Sequence, residues 1–273
     1  MMNVNLEKCV GCGLCSKDCI AYDIELVNGK ANIKNETCIK CGHCIAICPK
    51  EAVSTDEYDM NEVKKYTKED FTIEAENLLN FIKFRRSVRN FNNKDVEDEK
   101  INKIIEAGRF TQTGINSQNV SYIVVKDKLQ ELRKLVLESL KEKGEHILTN
   151  QNITDNRLKR YAYMWIKMYS DFLENPNGSD RLFFKAPLVI LVTSPDSVNA
   201  SLASSNMELI TNALGLGTYF SGFLAKAAEG NKKINDFLGL EENHKIVTCM
   251  VIGYPNIKYL RTVPRKKSSI TWL

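Results

Sequence analysis

Residues 9–19, Cys-Val-Gly-Cys-Gly-Leu-Cys-Ser-Lys-Asp-Cys, and residues 38–49, Cys-Ile-Lys-Cys-Gly-His-Cys-Ile-Ala-Ile-Cys-Pro, carry one thiol spacing twice. A cysteine recurs every third residue three times, and one more follows after a three-residue gap. Eight of the nine cysteines of the chain are committed in this way: Cys9, Cys12, Cys15 and Cys19, then Cys38, Cys41, Cys44 and Cys48. The copies are offset by 29 residues (38 minus 9), which marks the duplication of a short strand-and-loop unit. Between them Ile24–Val27 and Ala31–Ile33 flank Asn28-Gly29 and read as a hairpin, since that dipeptide accepts the positive φ angles of a tight two-residue turn.

Three chemistries could claim such thiols. A disulfide framework needs an oxidising compartment, and no charged n-region with an apolar h-region and cleavage site precedes Cys9. A zinc site closes on four ligands, usually two separated Cys-x-x-Cys pairs, and a third thiol at the next three-residue step suits a larger inorganic cluster better than one tetrahedral ion. The spacing resembles the bacterial iron–sulfur run, in which three ligands go to one cluster and the fourth to the other. That resemblance implies two [4Fe-4S] clusters, one on Cys9, Cys12, Cys15 and Cys48 and one on Cys38, Cys41, Cys44 and Cys19. It leaves Cys249, in the apolar run Ile246–Ile252, as a small buried hydrophobe.

The chain has 273 residues and a formal charge of +4. Clusters substitute for a hydrophobic core in so small an N-terminal unit, and about 220 residues remain for a substantial second domain. Basic residues form no long runs, so no nucleic-acid partner is expected, and no apolar stretch approaches the length of a membrane helix. Oxidisable thiolates suit a cytoplasmic protein of a reducing, oxygen-poor cell.

Residues 1–53 read as the cluster domain, 54–73 as a polar linker and 74–273 as the larger domain; across Glu51–Thr72 no helical or strand period is visible. Beyond it, Glu74–Phe84, Asp98–Phe110, Lys128–Lys143, Asn156–Leu173, Ser201–Leu216 and Lys232–Leu238 read as helices, with Asp95 and Asp98 as candidate caps of the second. Val120–Val125, Pro187–Thr193, Gly217–Phe223 and Lys245–Gly253 read as strands. The alternation predicts a layered α+β fold, and it leaves strand order and direction open.

Arg85-Arg86-Ser87-Val88-Arg89-Asn90-Phe91 is the densest basic cluster of the larger domain. Three guanidiniums and a hydroxyl can converge on a phosphate through charge-assisted hydrogen bonds, although alone the segment also reads as an exposed basic helix end. The segment resembles the N-terminal motif of the nitroreductase family of FMN enzymes. Three further stretches agree in order: Thr113–Gln118, Gly215–Phe223, and Gly253-Tyr254-Pro255 with Pro264-Arg265-Lys266. The chain departs from the family pattern at Gln118-Asn119-Val120, where Gln-Pro-Trp is usual, and at Ile20, where a proline usually follows the fourth cysteine.

The resemblance implies an α+β fold in which a small ferredoxin-like domain precedes an α/β sandwich with an antiparallel or mixed sheet flanked by helices. It assigns Arg85, Arg86, Ser87 and Arg89 to the FMN phosphate, with Arg265 and Lys266 closing over it. Asn116, Ser117 and Gln118 fall beside the flavin, and Ser221 with Gly222 offers backbone to its ring edge. Read without the resemblance, Asn116 is a loop-capping residue and Gly222 a strand-end turn glycine.

With only His43, His146 and His244 in the chain, no Ser/His/Asp set is apparent and no catalytic side chain is assigned. The expected function is an oxidoreductase that passes electrons from a low-potential donor, a one-electron protein such as ferredoxin or NAD(P)H, through two clusters to FMN. A small organic acceptor then takes them: a nitroaromatic, a quinone or an enone. The alternative is a flavin-bearing electron carrier or redox sensor acting on a protein partner. A homodimer is expected, because Ser201–Leu216 is apolar around more of its circumference than a one-sided surface helix requires.

Overall fold

Gly13 and Gly42, each directly after the second cysteine of its run, have φ angles of 73° and 74° and start matching helices. In the computed structural model, which describes Met1–Leu273, contacts divide the chain into two units. One comprises Met1–Glu74 with Gly114–Ser117, the other Ala75–Thr113 with Gln118–Leu273.

In the first unit β1 (Met2–Val4) leads to the first cysteine run and α1 (Leu14–Asp18). The hairpin β2 (Ile24–Val27) and β3 (Lys30–Ile33) follows, then α2 (His43–Ala46) within the second run and β4 (Val53–Thr55). Asn28 and Gly29 take the positive φ values, 51° and 72°, that the hairpin turn demands. Gly11 is needed for a different reason: a Cβ there would fall 1.9 Å from the Gly29 carbonyl oxygen. β1 pairs antiparallel with β4, Met2 opposite Thr55, and so ties the first residues to those after the last cysteine. A three-residue strand is too short to display alternation, which is why no strand period is visible across 53–55 in the sequence. A 3₁₀ turn (Met60–Glu62) and α3 (Lys68–Phe71) complete this unit.

The second unit is built on four antiparallel strands in the order β5-β6-β8-β7, where β5 is Ser121–Val125, β6 Leu188–Ser194, β7 Gly217–Phe220 and β8 Lys245–Gly253. All of β6 is buried, as its uninterrupted apolar run requires, and its residues alternate between two cores. Leu188, Ile190 and Val192 join Met250 and Ile252 of β8 in the core beneath α5 (Asp98–Arg109) and α8 (Ser197–Ala213). Val189 and Leu191 join Cys249 and Val251 in the opposite core, beneath α6 (Leu129–Thr149), α7 (Asn156–Glu174), α9 (Gly222–Ala228) and α10 (Lys232–Leu238). The remaining helix of the unit, α4 (Ala75–Phe84), contributes no buried residue to either core. Cys249 is 1 % exposed, and burial pushes its thiol far above the ordinary range, in accord with a packing role.

Apart from α6, which runs to Thr149 instead of ending at Lys143, and α3 in the stretch read as linker, three elements differ from the sequence expectation. β7 stops at Phe220, and Gly222 opens α9 instead of continuing the strand; the run Ser221–Ala228 is apolar in both periods, and only packing against α6 and β8 selects the helix. α8 starts four residues early, because Asp196 caps Val198 and Asn199 with its carboxylate. Neither Asp95 nor Asp98 caps α5: its N-cap is Glu97, and both aspartates instead hold Lys126, at 3.0 and 3.3 Å.

Candidate functional site

In the first unit the eight cysteines line two small cavities. Cys9, Cys12, Cys15 and Cys48 line one, and Cys19, Cys38, Cys41 and Cys44 line the other. Each cavity therefore takes three thiols from one run and one from the other, the crossed membership the sequence reading expected. No three His, Cys, Asp or Glu side chains converge tightly enough to hold a single metal ion. Four thiols gathered from two runs around one space are a donor set that a multi-iron cube can take.

Backbone amides point at these sulfurs. Ala31 N–H donates to Cys9 Sγ at 3.4 Å, Ala52 N–H to Cys48 at 3.3 Å and Lys40 N–H to Cys38 at 3.4 Å. The Ala31 amide, helped by that of Gly11, holds the Cys9 thiol below its usual range. Burial pushes the Cys44 thiol up to about 11, and the nearby Cys38 and Cys41 sulfurs add to the shift. Buried thiols of this kind give up their protons when metal binds.

Asp23, beside the second cavity, organises the chain that leads into Cys38. It is 2 % exposed and accepts from the amides of Asn35, Glu36 and Thr37 at 2.8–3.0 Å and from the Thr37 hydroxyl at 3.2 Å. Burial alone would raise its pKa, but these donors outweigh it and hold the carboxyl below the ordinary range.

In the second unit Arg85–Phe91 is laid along the free edge of β7. Ser87 pairs with Thr218 in a parallel bridge, Val88 N–H donates to Thr218 O at 2.9 Å, and Phe91 pairs with Pro255 beyond β8. Gly217 permits this approach, since a Cβ there would lie 2.6 Å from Val88 Cγ2. Arg89 stacks over Tyr219 at 4.6 Å and Arg86 over Tyr259 at 4.7 Å. Arg85 instead pairs with Glu208 of α8, both side chains being largely buried. Nothing in the sequence distinguishes Glu208 from other helical glutamates, so its role became visible only in the fold.

At the end of the same strand Ser221 is buried, its N–H donating to Cys249 O at 2.8 Å, while Gly222 is exposed with open space where a Cβ would stand. Arg85 Nε, Thr218 Oγ1 and Ser221 Oγ are all buried without a hydrogen-bond partner. Buried orphan polar atoms are rare, and several along one strand edge beside two stacked guanidiniums form a set of groups suited to a polar, anionic ligand. The remaining residues expected here are not drawn into this group. Arg265 and Lys266 are exposed on a stretch without regular structure. Gln118, φ 46°, donates its N–H to Thr113 Oγ1, whereas Asn116 and Ser117 belong to the cysteine unit.

Comparison with known proteins agrees with this division. Residues 82–254 match the model of the nitroreductase family, and residues 1–49 match that of a 4Fe-4S dicluster domain. A protein of Archaeoglobus fulgidus assigned as an NADH dehydrogenase/NAD(P)H nitroreductase is 25 % identical over 191 residues, covering 66 % of this chain and 86 % of its own. Iodotyrosine deiodinase of Hydra vulgaris is 24 % identical over 208 residues, 70 % of either chain. The crystal structure of a Bacteroides fragilis nitroreductase with bound FMN superimposes with a TM-score of 0.54 at 22 % identity, over 74 % of this chain and all of that one. No helix of the protein is long and apolar enough to cross a membrane.

Proposed function

The chain belongs to the nitroreductase family, and from that premise we propose that it is an FMN-dependent oxidoreductase whose electrons arrive through two [4Fe-4S] clusters of its own N-terminal unit. The observation that carries this reading is the crossed partition of eight cysteines into two four-thiol cavities on the chain that also carries the arginine-lined strand edge. Bound there, FMN would supply two-electron chemistry and the clusters one-electron steps, which together turn a low-potential donor into a reductant for a small organic acceptor.

The residues present fit that assignment. Arg86 and Arg89 hold guanidiniums at the edge of β7, pre-oriented by Tyr259 and Tyr219, and Ser87 adds a hydroxyl between them. Thr218 and Ser221 offer buried hydroxyls that have no partner within the chain, and Gly222 leaves backbone exposed for close approach. Arg85, tied to Glu208, sets the start of the segment and keeps Nε free. Arg265, Lys266 and Gln118 complete the proposed set from the exposed chain. The acceptor class is a nitroaromatic, quinone or enone, the donor a one-electron protein such as ferredoxin or NAD(P)H, and the setting a reducing, oxygen-poor cytoplasm.

Protein prepared without oxygen is expected to contain close to eight irons and one FMN per chain. Cys12→Ala and Cys38→Ala, each removing one thiol from one cavity, are expected to abolish flavin reduction by a one-electron protein donor. Chemically reduced FMN should still serve the organic acceptor. Stoichiometric zinc with little iron would remove the cluster assignment. Flavin reduction unaltered in both variants, with no turnover of any small acceptor, would favour the carrier reading.

A further inference from the structure

Cys12 is exposed, whereas Cys9 and Cys15 of the same cavity are buried. Apolar side chains surround it. Val10, Leu14 and Leu26 line that cavity and yet are 58 %, 39 % and 48 % exposed, so each covers the thiols on one side and meets water on the other. Leu26 is carried there by the β2–β3 hairpin, whose Gly29 carbonyl packs against Gly11 in the Cys9–Cys12 turn. Aliphatic groups gathered in water around one cavity mark a place where another molecule docks.

The charges around this mouth have one sign in excess. Lys8 precedes Cys9, Lys17 follows Leu14 on α1, and Lys50 lines the cavity; all three are exposed and none makes an ion pair. Lys30 adds a fourth cation, its ammonium donating to Cys9 O. Only Glu7 and Glu51 stand against them, since Asp18 is taken by His43 and Glu25 by Lys34. The second cavity differs: the Asp23 carboxylate is part of its lining, and Lys40, between Cys38 and Cys41, is paired with Glu57.

We propose, on the two-cluster reading above, that this face is the docking surface for a small acidic ferredoxin, and that Cys9, Cys12, Cys15 and Cys48 hold the cluster at which its electron enters. Val10, Leu14 and Leu26 exclude water from the contact over Cys12, and the lysines steer the anionic carrier into register. The reduced carrier loses one electron and the cluster of this chain gains it; no bond forms or breaks and no proton is required. Two such encounters supply the pair of electrons that a flavin takes.

The full-length, iron-loaded protein carries the test, with a purified small acidic ferredoxin as the probe. Lys17→Glu with Lys50→Glu reverses two charges of the face and replaces no thiol. Lys64→Glu with Lys65→Glu makes the same change in net charge on the exposed stretch beyond β4. Calorimetric binding of the oxidised ferredoxin, and carbodiimide cross-links between lysine and carboxylate mapped by mass spectrometry, are read without turnover; stopped-flow reduction by the reduced ferredoxin is followed at several salt concentrations. Cross-links from Lys8, Lys17 or Lys50 to ferredoxin carboxylates are expected, with a parent rate that falls as salt is added. Lys17→Glu with Lys50→Glu should weaken binding and slow reduction about tenfold at low salt, with iron content unchanged. Equal slowing by Lys64→Glu with Lys65→Glu, a parent rate indifferent to salt, or cross-links confined to other lysines would overturn the docking surface, as would cross-links that join two copies of this chain through these lysines. Absence of iron from the unsubstituted protein is a separate result that removes the cluster reading itself.

Discussion

Arg89 is the most exposed test of the flavin reading at the level of single residues, because its guanidinium lies over the Tyr219 ring and makes no ion pair. Arg89→Ala is expected to weaken FMN retention about ten- to a hundredfold, the worth of one charge-assisted phosphate contact, with iron content unchanged; flavin that survives extensive dialysis would remove the phosphate role. Asp23 makes the corresponding prediction in the cysteine unit. Its folded pKa is depressed, so its contribution is complete above the ordinary carboxylate range and is lost as pH falls through the lower folded value. Asp23→Asn should cost about 1.5–3 kcal/mol at neutral pH and should flatten the acid limb of cluster loss, followed by visible absorbance against pH. An acid limb unchanged from that of the parent protein would show that the carboxylate is not the titrating group.

Among elements, the connection between α7 and β6 depends on one buried charge. Arg133 of α6 donates to Pro176 O at 2.7 Å and Ser179 O at 2.8 Å and lies 3.2 Å from the Asp180 carboxylate. Asp180 in turn accepts from the amides of Leu182, Phe183 and Lys185, which fixes the positive φ angles of Phe184 and Lys185 just before the central strand. Both side chains are nearly inaccessible, so removing one strands the other in a low-dielectric interior. Arg133→Ala is expected to cost about 3–5 kcal/mol in denaturant melts of the second unit, with cluster content retained. A loss under 1 kcal/mol in those melts would mean that water reaches the pair.

For the whole molecule, α4 presents Leu78, Leu79, Ile82 and Phe84 with no buried residue of its own, and α8 exposes Val198 and Leu202. An amphipathic helix whose apolar side finds no core in its own unit is a candidate interface, which supports the expected homodimer. Leu79→Glu with Ile82→Glu is expected to shift sedimentation toward the monomer and to leave far-ultraviolet circular dichroism unchanged. A parent protein that sediments as a monomer at every concentration would remove the dimer.

Local structure in this chain was legible from its residues alone: which cysteines lie together, that a hairpin turns at Asn28-Gly29, and that Pro187–Thr193 holds a buried strand. Each follows from interactions within a few positions, namely ligand spacing, turn dihedrals and hydrophobic period. The α+β class and the family also followed, since motifs in register survive wide divergence elsewhere. What required the tertiary structure was every choice between partners distant in sequence. Arg85 could have faced a ligand but pairs with Glu208, 123 residues away. Gly222 could have continued a strand but opens a helix, because α6 and β8 supply a surface for that helix. Such pairings are decided by packing, because many polar groups compete for each buried partner and only the folded backbone brings one of them within hydrogen-bond distance.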